Sequence, residues 1–191
     1  MNLPNKLTIA RVIAVPFYVA FMLISAVRYN YLWALALFGA ASITDMIDGK
    51  IARKNNLVTD LGKFLDPLAD KVLVSAALIC MVELGWTASY LVIIIISREF
   101  IVSALRLAAA SSNDRTVIAA GIWGKLKTAF TMIAICVITL LHILLDNFGV
   151  AALEGFPVLI ISDILMWIST VLTVISGVVY IVSYKHLLKS K

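Results

Sequence analysis

Long apolar segments separated by short polar connections dominate the pattern along the chain. A bilayer core about 30 Å thick is spanned by roughly 20 apolar residues in a helix. Helix is the form in which a single segment satisfies its own backbone groups in lipid. Six segments have this length, and they run approximately over residues 9–27, 32–53, 64–84, 89–110, 126–145 and 158–184. The pattern predicts an all-α integral membrane protein with six transmembrane helices.

The polar segment before the first span, residues 2–11, is expected to lie along the membrane interface. Pro4 and Asn5 suit the start of a helix there. Every connection is short, and no polar stretch is long enough for a soluble domain. A single transmembrane domain over residues 1–191 is therefore predicted.

Composition and charge support a membrane protein and argue against a nucleic-acid-binding one. Hydrophobic residues make up 62% of the chain and mean hydropathy is +1.03, whereas a soluble domain is about half apolar. The net charge of +5 is segregated by membrane side, since fifteen of the sixteen Lys and Arg residues fall on one side and only Arg28 on the other. The positive-inside rule then predicts that both termini and the second and fourth connections are cytoplasmic. The absence of a transit peptide favours a bacterial plasma membrane.

Four aspartates at the second connection carry the candidate chemistry. Asp45 and Asp48 are three apart near the end of the second predicted helix, and Asp66 and Asp70 are four apart near the start of the third. Each spacing places two carboxylates on one helix face. Because a short loop joins the helices, they are expected to be antiparallel neighbours whose acidic faces converge. Four close carboxylates at a membrane edge call for hard divalent cations, which prefer oxygen ligands.

Two such cations suit phosphoryl transfer, which depends on positioning and charge neutralisation. One of the carboxylates could take a proton from an attacking hydroxyl. Gly49 and Gly62 allow a ligand or another helix to approach the backbone, and Arg53 suits either a phosphate or a bracing contact to the carboxylates. Any one aspartate, taken alone, fits equally well as an interfacial or capping residue.

These residues resemble a known signature. Asp45-x2-Asp48-Gly49-x2-Ala52-Arg53-x8-Gly62-x3-Asp66-x3-Asp70 is similar to that of the CDP-alcohol phosphotransferases, and every fixed position is filled. The resemblance implies a two-metal site, with Mg²⁺ or Mn²⁺, held by the four aspartates, and Asp70 as general base. It further implies a CDP-binding region at Gly49, Arg53, Thr59 and Gly62, and a homodimer.

A second cluster, of basic residues, bears on the acceptor. Arg98 and Arg106 are eight apart and share a helix face, while Lys125 and Lys127 open the fifth predicted helix. An arginine within an apolar span requires an anion or a carboxylate, and its fork suits phosphate oxygens. A phosphorylated acceptor is one interpretation. The other is that Arg98 pairs with Glu99 or an aspartate while the two lysines face lipid headgroups.

The resemblance is closer to one branch of the family. The segments NLPNKLTIAR, NLVTDLGKFLDPLADK, SREFIVSALR and GKLKT resemble those of phosphatidylglycerophosphate synthases. It implies that CDP-diacylglycerol and glycerol 3-phosphate are the substrates and that Arg98, Arg106, Lys125 and Lys127 hold the acceptor phosphate. The implied products are phosphatidylglycerol phosphate and CMP.

Two alternatives stay open. A sister enzyme of the family would use phosphatidylglycerol, serine or inositol phosphate as acceptor. A small cation transporter would also carry intramembrane acids, although here they gather at one membrane edge.

Several residues have no assigned chemistry. The roles of residues 109–120 and of Asn5, Thr8 and Arg11 stay open, the last three being either a polar face near the site or an interfacial anchor. The residues interpreted as structural are the histidines, the cysteines and four aromatic anchors near span ends: His142, His186, Cys80, Cys136, Trp86, Trp123, Tyr180 and Tyr184.

Overall fold

Over the residues that it describes, the computed structural model consists of helices and the turns that join them. Its backbone is described over residues 3–54, 60–111, 121–149 and 157–188, and its side chains over residues 8–44, 69, 71–106, 121–149 and 157–183. These ranges hold six α-helices and no strand. The helices are α1 (Leu3–Leu23), α2 (Asn30–Lys54), α3 (Asp60–Glu83), α4 (Ser89–Ser111), α5 (Ile122–His142), which a π-helical turn at Ile143–Asn147 continues, and α6 (Val158–Leu188). The predicted all-α class is confirmed.

Each predicted apolar segment coincides with one helix, and the largest difference is at the N-terminus. Helix α1 begins at Leu3 and continues without a break through Arg11. The segment predicted to lie along the interface is therefore continuous with the first apolar stretch. Pro4 falls in the first turn, where its missing N–H leaves no hydrogen bond unmade.

The distribution of polar and apolar side chains is that of a membrane protein. Among the described residues, two helical stretches are long and apolar enough to cross a membrane, Ile122–Asn147 and Val158–Ser183. Large apolar side chains such as Ile122, Ile93 and Ile160 are exposed, while Ser162, Ser169 and Thr173 are completely buried. Lipid tails are as apolar as the side chains of Leu and Ile, so large apolar side chains can face the lipid. Small polar side chains can then pack between the helices. The prediction of six spans stays a prediction.

The chain divides into two compact units. Unit 1 comprises Met1–Leu84 and Cys136–Val158, and in it α1 packs along both α2 and α3. Tyr18 of α1 and Phe38 of α2 form its largest buried pair, with ring centroids 5.9 Å apart. Over the described residues α2 and α3, expected to be direct neighbours, contact each other only slightly. Tyr18 and Met22 of α1 are both buried in this unit.

The π-helical turn packs against the start of α2 within unit 1. Asn147 Nδ2 donates a hydrogen bond of 3.0 Å to Oδ1 of the buried Asn30. The rings of Tyr29 and Phe148 stack with centroids 5.4 Å apart. His142 Nδ1 lies 3.1 Å from Asp146 Oδ2 within the same turn, a local contact that agrees with the structural role expected of this histidine.

Unit 2 comprises Gly85–Ile135 and Leu159–Lys191, and it contains α4, the first part of α5, and α6. One face of α6 carries buried hydroxyl residues. On this face Ser169 shares a hydrogen bond of 2.6 Å with Thr131 of α5, and the Thr173 hydroxyl donates to the Ser169 carbonyl of its own helix. Small side chains of this kind let membrane helices approach closely.

Candidate functional site

The aspartate signature lies on two helices of unit 1. Asp45, Asp48, Gly49 and Arg53 belong to the last turns of α2, which extends to Lys54. Gly62, Asp66 and Asp70 belong to the first turns of α3, which begins at Asp60. Continuous helix at both places keeps each pair of aspartates on one face, because residues three and four apart are neighbours on a helix surface. The side chains of all seven residues, and Thr59 as a whole, lie outside the described residues.

In addition to this signature, the first helix contributes two buried polar side chains. Thr8 and Arg11, three apart on α1, are 3% and 5% exposed. Both belong to unit 1, in which α1 packs along α2 and α3. A buried arginine needs polar or charged partners. Their burial favours the inward-facing polar surface over an interfacial anchor.

The basic cluster lies in unit 2 and is organised around one carboxylate. Lys127 of α5 forms an ion pair with Glu99 Oε1 of α4. Arg98 Nη1 lies 3.4 Å from the same oxygen. The side chains of Lys127 and Arg98 are 6% and 11% exposed, so both cations are removed from solvent. Glu99 offsets one of the two charges, and the trio keeps a net charge of +1.

The two arginines of this cluster also contact α6. Arg98 Nη2 donates a hydrogen bond of 2.6 Å to Ser176 Oγ. Arg106 Nε donates one of 2.8 Å to the Tyr180 hydroxyl, and its guanidinium carbon lies 5.2 Å from the centre of the Tyr180 ring. The eight-residue spacing of the arginines therefore does place both on one face of α4, the face that meets α6.

One donor in this cluster has no acceptor. Arg98 Nε is buried and makes no hydrogen bond within the described part of the chain. A buried donor left unsatisfied costs about 1–3 kcal/mol, more for a charged group. An anion bound beside Arg98 would remove that cost. The Glu99 contact shows that the structural interpretation of Arg98 also holds in part, because the carboxylate does brace it.

A cavity of about 90 Å³ lies where α5 begins, beside the partners of the arginines. Its lining comes from the start of α5 and from α6: Gly121, Trp123, Gly124, Ser176, Val179, Tyr180 and Ser183. Lys125, in the first turns of α5, is exposed. The structure thus brings Arg98, Arg106 and Lys127 together through α4, α5 and α6, and leaves Lys125 on the surface near the cavity.

Three residues of α6 in this arrangement were not expected from the sequence. Tyr180 was interpreted as an interfacial anchor, but it is 6% exposed and holds Arg106. Ser176 and Gly177 were not singled out. The sequence signal at this place was the pair Ser176 and Gly177, with Tyr180 four residues after Ser176, within an otherwise apolar run. Trp86, also expected to be an anchor, is buried, whereas Trp123 is exposed.

Comparison with known proteins agrees with the signature. Residues 1–175 match the family model described as CDP-alcohol phosphatidyltransferase. A CDP-diacylglycerol–glycerol-3-phosphate 3-phosphatidyltransferase of Bacillus subtilis (strain 168) is 41% identical over 187 residues, 92% of this chain and 91% of its own. Proteins of the same name from Rickettsia bellii (strain RML369-C) and Haemophilus influenzae are also similar. The Rickettsia bellii protein is 37% identical, and the match covers 94% of this chain and 93% of that protein. The Haemophilus influenzae protein is 44% identical, and the match covers 70% of this chain and 73% of that protein. The chain belongs to the CDP-alcohol phosphatidyltransferase family.

Proposed function

We propose that this protein transfers the phosphatidyl group of CDP-diacylglycerol to glycerol 3-phosphate, giving phosphatidylglycerol phosphate and CMP. The observation that carries the proposal is full-length similarity to relatives named for this reaction, in a chain with every position of the aspartate signature. The basic cluster of unit 2 supports a phosphorylated acceptor, because it gathers Arg98, Arg106 and Lys127 and leaves the buried Arg98 Nε without an acceptor in the described part of the chain. Arg98, Arg106, Lys125 and Lys127 are the proposed acceptor-phosphate ligands.

The family generally depends on divalent metal, and the donor set of this chain fits such ions. Asp45, Asp48, Asp66 and Asp70 supply only carboxylate oxygens, which Mg²⁺ and Mn²⁺ prefer. We assign two ions to these residues. Bound there, the ions neutralise charge on the diphosphate and on the attacking and leaving oxygens.

The remaining chemistry falls to the protein's own residues. Asp70 accepts the proton of the primary hydroxyl of glycerol 3-phosphate. The hydroxyl oxygen forms a bond to the lipid-side phosphorus, and the bond from that phosphorus to the bridging oxygen breaks, so that CMP leaves with the electron pair. Gly49, Arg53, Thr59 and Gly62 form the proposed CDP-binding region. The basic cluster holds the acceptor phosphate and so orients the hydroxyl for attack.

The proposed orientation follows from the charge pattern, and the proposed homodimer follows from the family resemblance. Active site and termini face the cytoplasm, and the protein spans a bacterial plasma membrane as a homodimer. CDP-diacylglycerol reaches the site from the bilayer, whereas glycerol 3-phosphate reaches it from the cytoplasm.

The test is CMP release by purified protein in detergent with CDP-diacylglycerol and Mg²⁺ or Mn²⁺. Glycerol 3-phosphate, glycerol, serine, phosphatidylglycerol and inositol phosphate are compared as acceptors. We expect release with glycerol 3-phosphate alone, its abolition by EDTA, and its return when either metal is added in excess. Release with a different acceptor would overturn the assignment of glycerol 3-phosphate as acceptor, while the proposal that the protein is a phosphotransferase would stand. No release with any acceptor, from folded protein, would favour the transporter alternative.

A further inference from the structure

Helix α6 presents a polar notch to α4 within an apolar sequence. The notch consists of Ser176, Gly177 and Tyr180, and these three residues are called the arginine cradle below. Ser176 is 3% exposed and Tyr180 is 6% exposed, so both hydroxyls are withdrawn from solvent and lipid. Each hydroxyl accepts a hydrogen bond from an arginine, Ser176 from Arg98 and Tyr180 from Arg106. Burial of a polar group is tolerated when such a bond is made.

Gly177 provides the space in which Arg98 lies. A Cβ atom at this position would be 3.2 Å from Arg98 Cγ and 3.9 Å from Arg98 Nε. The first of these distances is shorter than an ordinary van der Waals contact between carbon atoms. Any larger residue would push the aliphatic part of Arg98 away from α6. The glycine and the neighbouring serine therefore act on the same arginine, one by leaving room for its side chain and one by accepting a hydrogen bond from its guanidinium.

A hydroxyl acceptor has an electrostatic consequence that a carboxylate lacks. Glu99 fixes Arg98 and Lys127 and cancels one positive charge. The hydroxyls of the cradle fix Arg98 and Arg106 and cancel none. A hydroxyl contact therefore fixes the orientation of an arginine before an anion arrives and takes away none of its charge. The cavity of about 90 Å³ is lined by Ser176 and Tyr180 themselves, so there is open volume directly beside the cradle.

We infer that the arginine cradle positions Arg98 and Arg106 for the phosphate of the acceptor, which makes α6 a determinant of acceptor affinity. This inference rests on the proposed function. Ser176, Gly177 and Tyr180 are positioning residues that act through the arginines. They set the Michaelis constant for the phosphorylated acceptor and leave the diphosphate chemistry of the aspartates unchanged.

The test compares Ser176→Ala and Tyr180→Phe with wild type in the CMP-release assay. Each variant removes one hydroxyl, and Tyr180→Phe keeps the ring. A hydrogen bond of this kind is worth about a three- to tenfold change in binding. We expect each variant to raise the KM for glycerol 3-phosphate by about that factor. The KM for CDP-diacylglycerol and the kcat should stay within about twofold of wild type, since a substitution at one site leaves the contribution of a separate, independent site unchanged.

Matched controls come from the same unit. Thr173→Val removes a buried hydroxyl that bonds to the carbonyl of Ser169 on its own helix. Tyr90→Phe removes the hydroxyl of a tyrosine that is 53% exposed and lies against the Trp167 ring. Neither change should raise the KM for glycerol 3-phosphate. A rise of equal size in the controls would show a general effect of removing hydroxyls and would overturn the inference.

Two further variants separate positioning from packing. Gly177→Ala should raise the same KM because its Cβ displaces Arg98. In an Arg106→Ala background, Tyr180→Phe should add nothing, because the arginine through which Tyr180 acts is gone. If Arg106→Ala raises the acceptor KM while Ser176→Ala and Tyr180→Phe do not, the cradle inference fails and the proposed function stands. If Arg106→Ala leaves acceptor use unchanged, the proposed phosphate site itself is wrong.

Discussion

At the scale of single residues, the described part of the basic cluster combines several cations with one carboxylate, that of Glu99. Lys127 and Arg98 share the Glu99 carboxylate, and Arg106 contacts only neutral groups of Tyr180 in the described structure. Removing charged groups from water costs several kcal/mol for each ion unless partners compensate. Lys127 is buried and Arg98 largely buried, whereas Arg106 is exposed, so the cost falls on two cations that share one carboxylate, and this arrangement is expensive in a resting protein. It becomes favourable when a phosphate supplies the missing negative charge.

Asp70 is the proposed general base and also one of the four proposed metal ligands. Asp70→Asn keeps the size of the side chain but cannot accept the hydroxyl proton. Since general base catalysis contributes about 10²- to 10⁴-fold, we expect kcat for CMP release to fall by at least about 100-fold. Asp163→Asn, at an exposed position on α6, is the control and should retain full activity. Undiminished CMP release by Asp70→Asn protein would show that another group takes the proton.

At the scale of elements, the contact between α2 and the π-helical turn stabilises one end of unit 1. Tyr29 precedes α2 with a φ of 57°, in the left-handed region, and its ring stacks on Phe148. Gly149, with a φ of 56°, follows directly after Phe148. Left-handed backbone is easily adopted by glycine and costs free energy in a residue such as tyrosine. The stacked rings and the Asn30–Asn147 hydrogen bond compensate for that strain.

This contact can be tested by a double-mutant cycle. Asn30→Ala leaves the Asn147 amide without its acceptor, and Asn147→Ala leaves the buried Asn30 carbonyl without its donor. Each should lower the free energy of unfolding by about 1–3 kcal/mol, the cost of an unsatisfied buried group. Thermal unfolding in detergent should show that the double variant is destabilised by less than the sum of the single variants. Additive effects would mean that the two side chains do not interact.

At the scale of the whole molecule, large apolar side chains are exposed in both units among the described residues. Exposed Ile and Val side chains are distributed along α4 and α6. Such surfaces are stable against lipid and would aggregate in water. The sixteen Lys and Arg residues, with the exception of Arg28, are expected on a single side. The orientation in the membrane follows from that asymmetry.

Accessibility of single cysteines would measure the orientation. Cys80 and Cys136 are free thiols, so both are first replaced. Asn113→Cys, in the fourth connection, should then react with a membrane-impermeant reagent only in inverted vesicles. Ala152→Cys, in the fifth connection, should react only in intact cells. The opposite pattern would place the active site on the outer side and contradict a glycerol 3-phosphate supply from the cytoplasm.

The sequence by itself determined the helices and the signature, because both depend on spacing along the chain. The length of an apolar run sets the length of a membrane helix whatever its neighbours are. The four aspartates are recognisable from intervals of three and four residues on α2 and α3. The N-terminal helix was the exception. Its first turns are polar, and only the structure showed that they continue into the apolar stretch.

Tertiary structure decided which groups hold the basic cluster. Ser176 and Tyr180 are 78 and 74 residues away from the arginines that they contact. One face of helix α6 carries small hydroxyl residues, but the sequence of α6 does not specify which neighbouring helix that face meets. The sequence also left open whether Arg98 pairs with Glu99 or with an aspartate, and the fold places both Arg98 and Lys127 of α5 on the Glu99 carboxylate. Contacts of this kind depend on the rotation and packing of helices, which hydrophobic spacing alone does not encode.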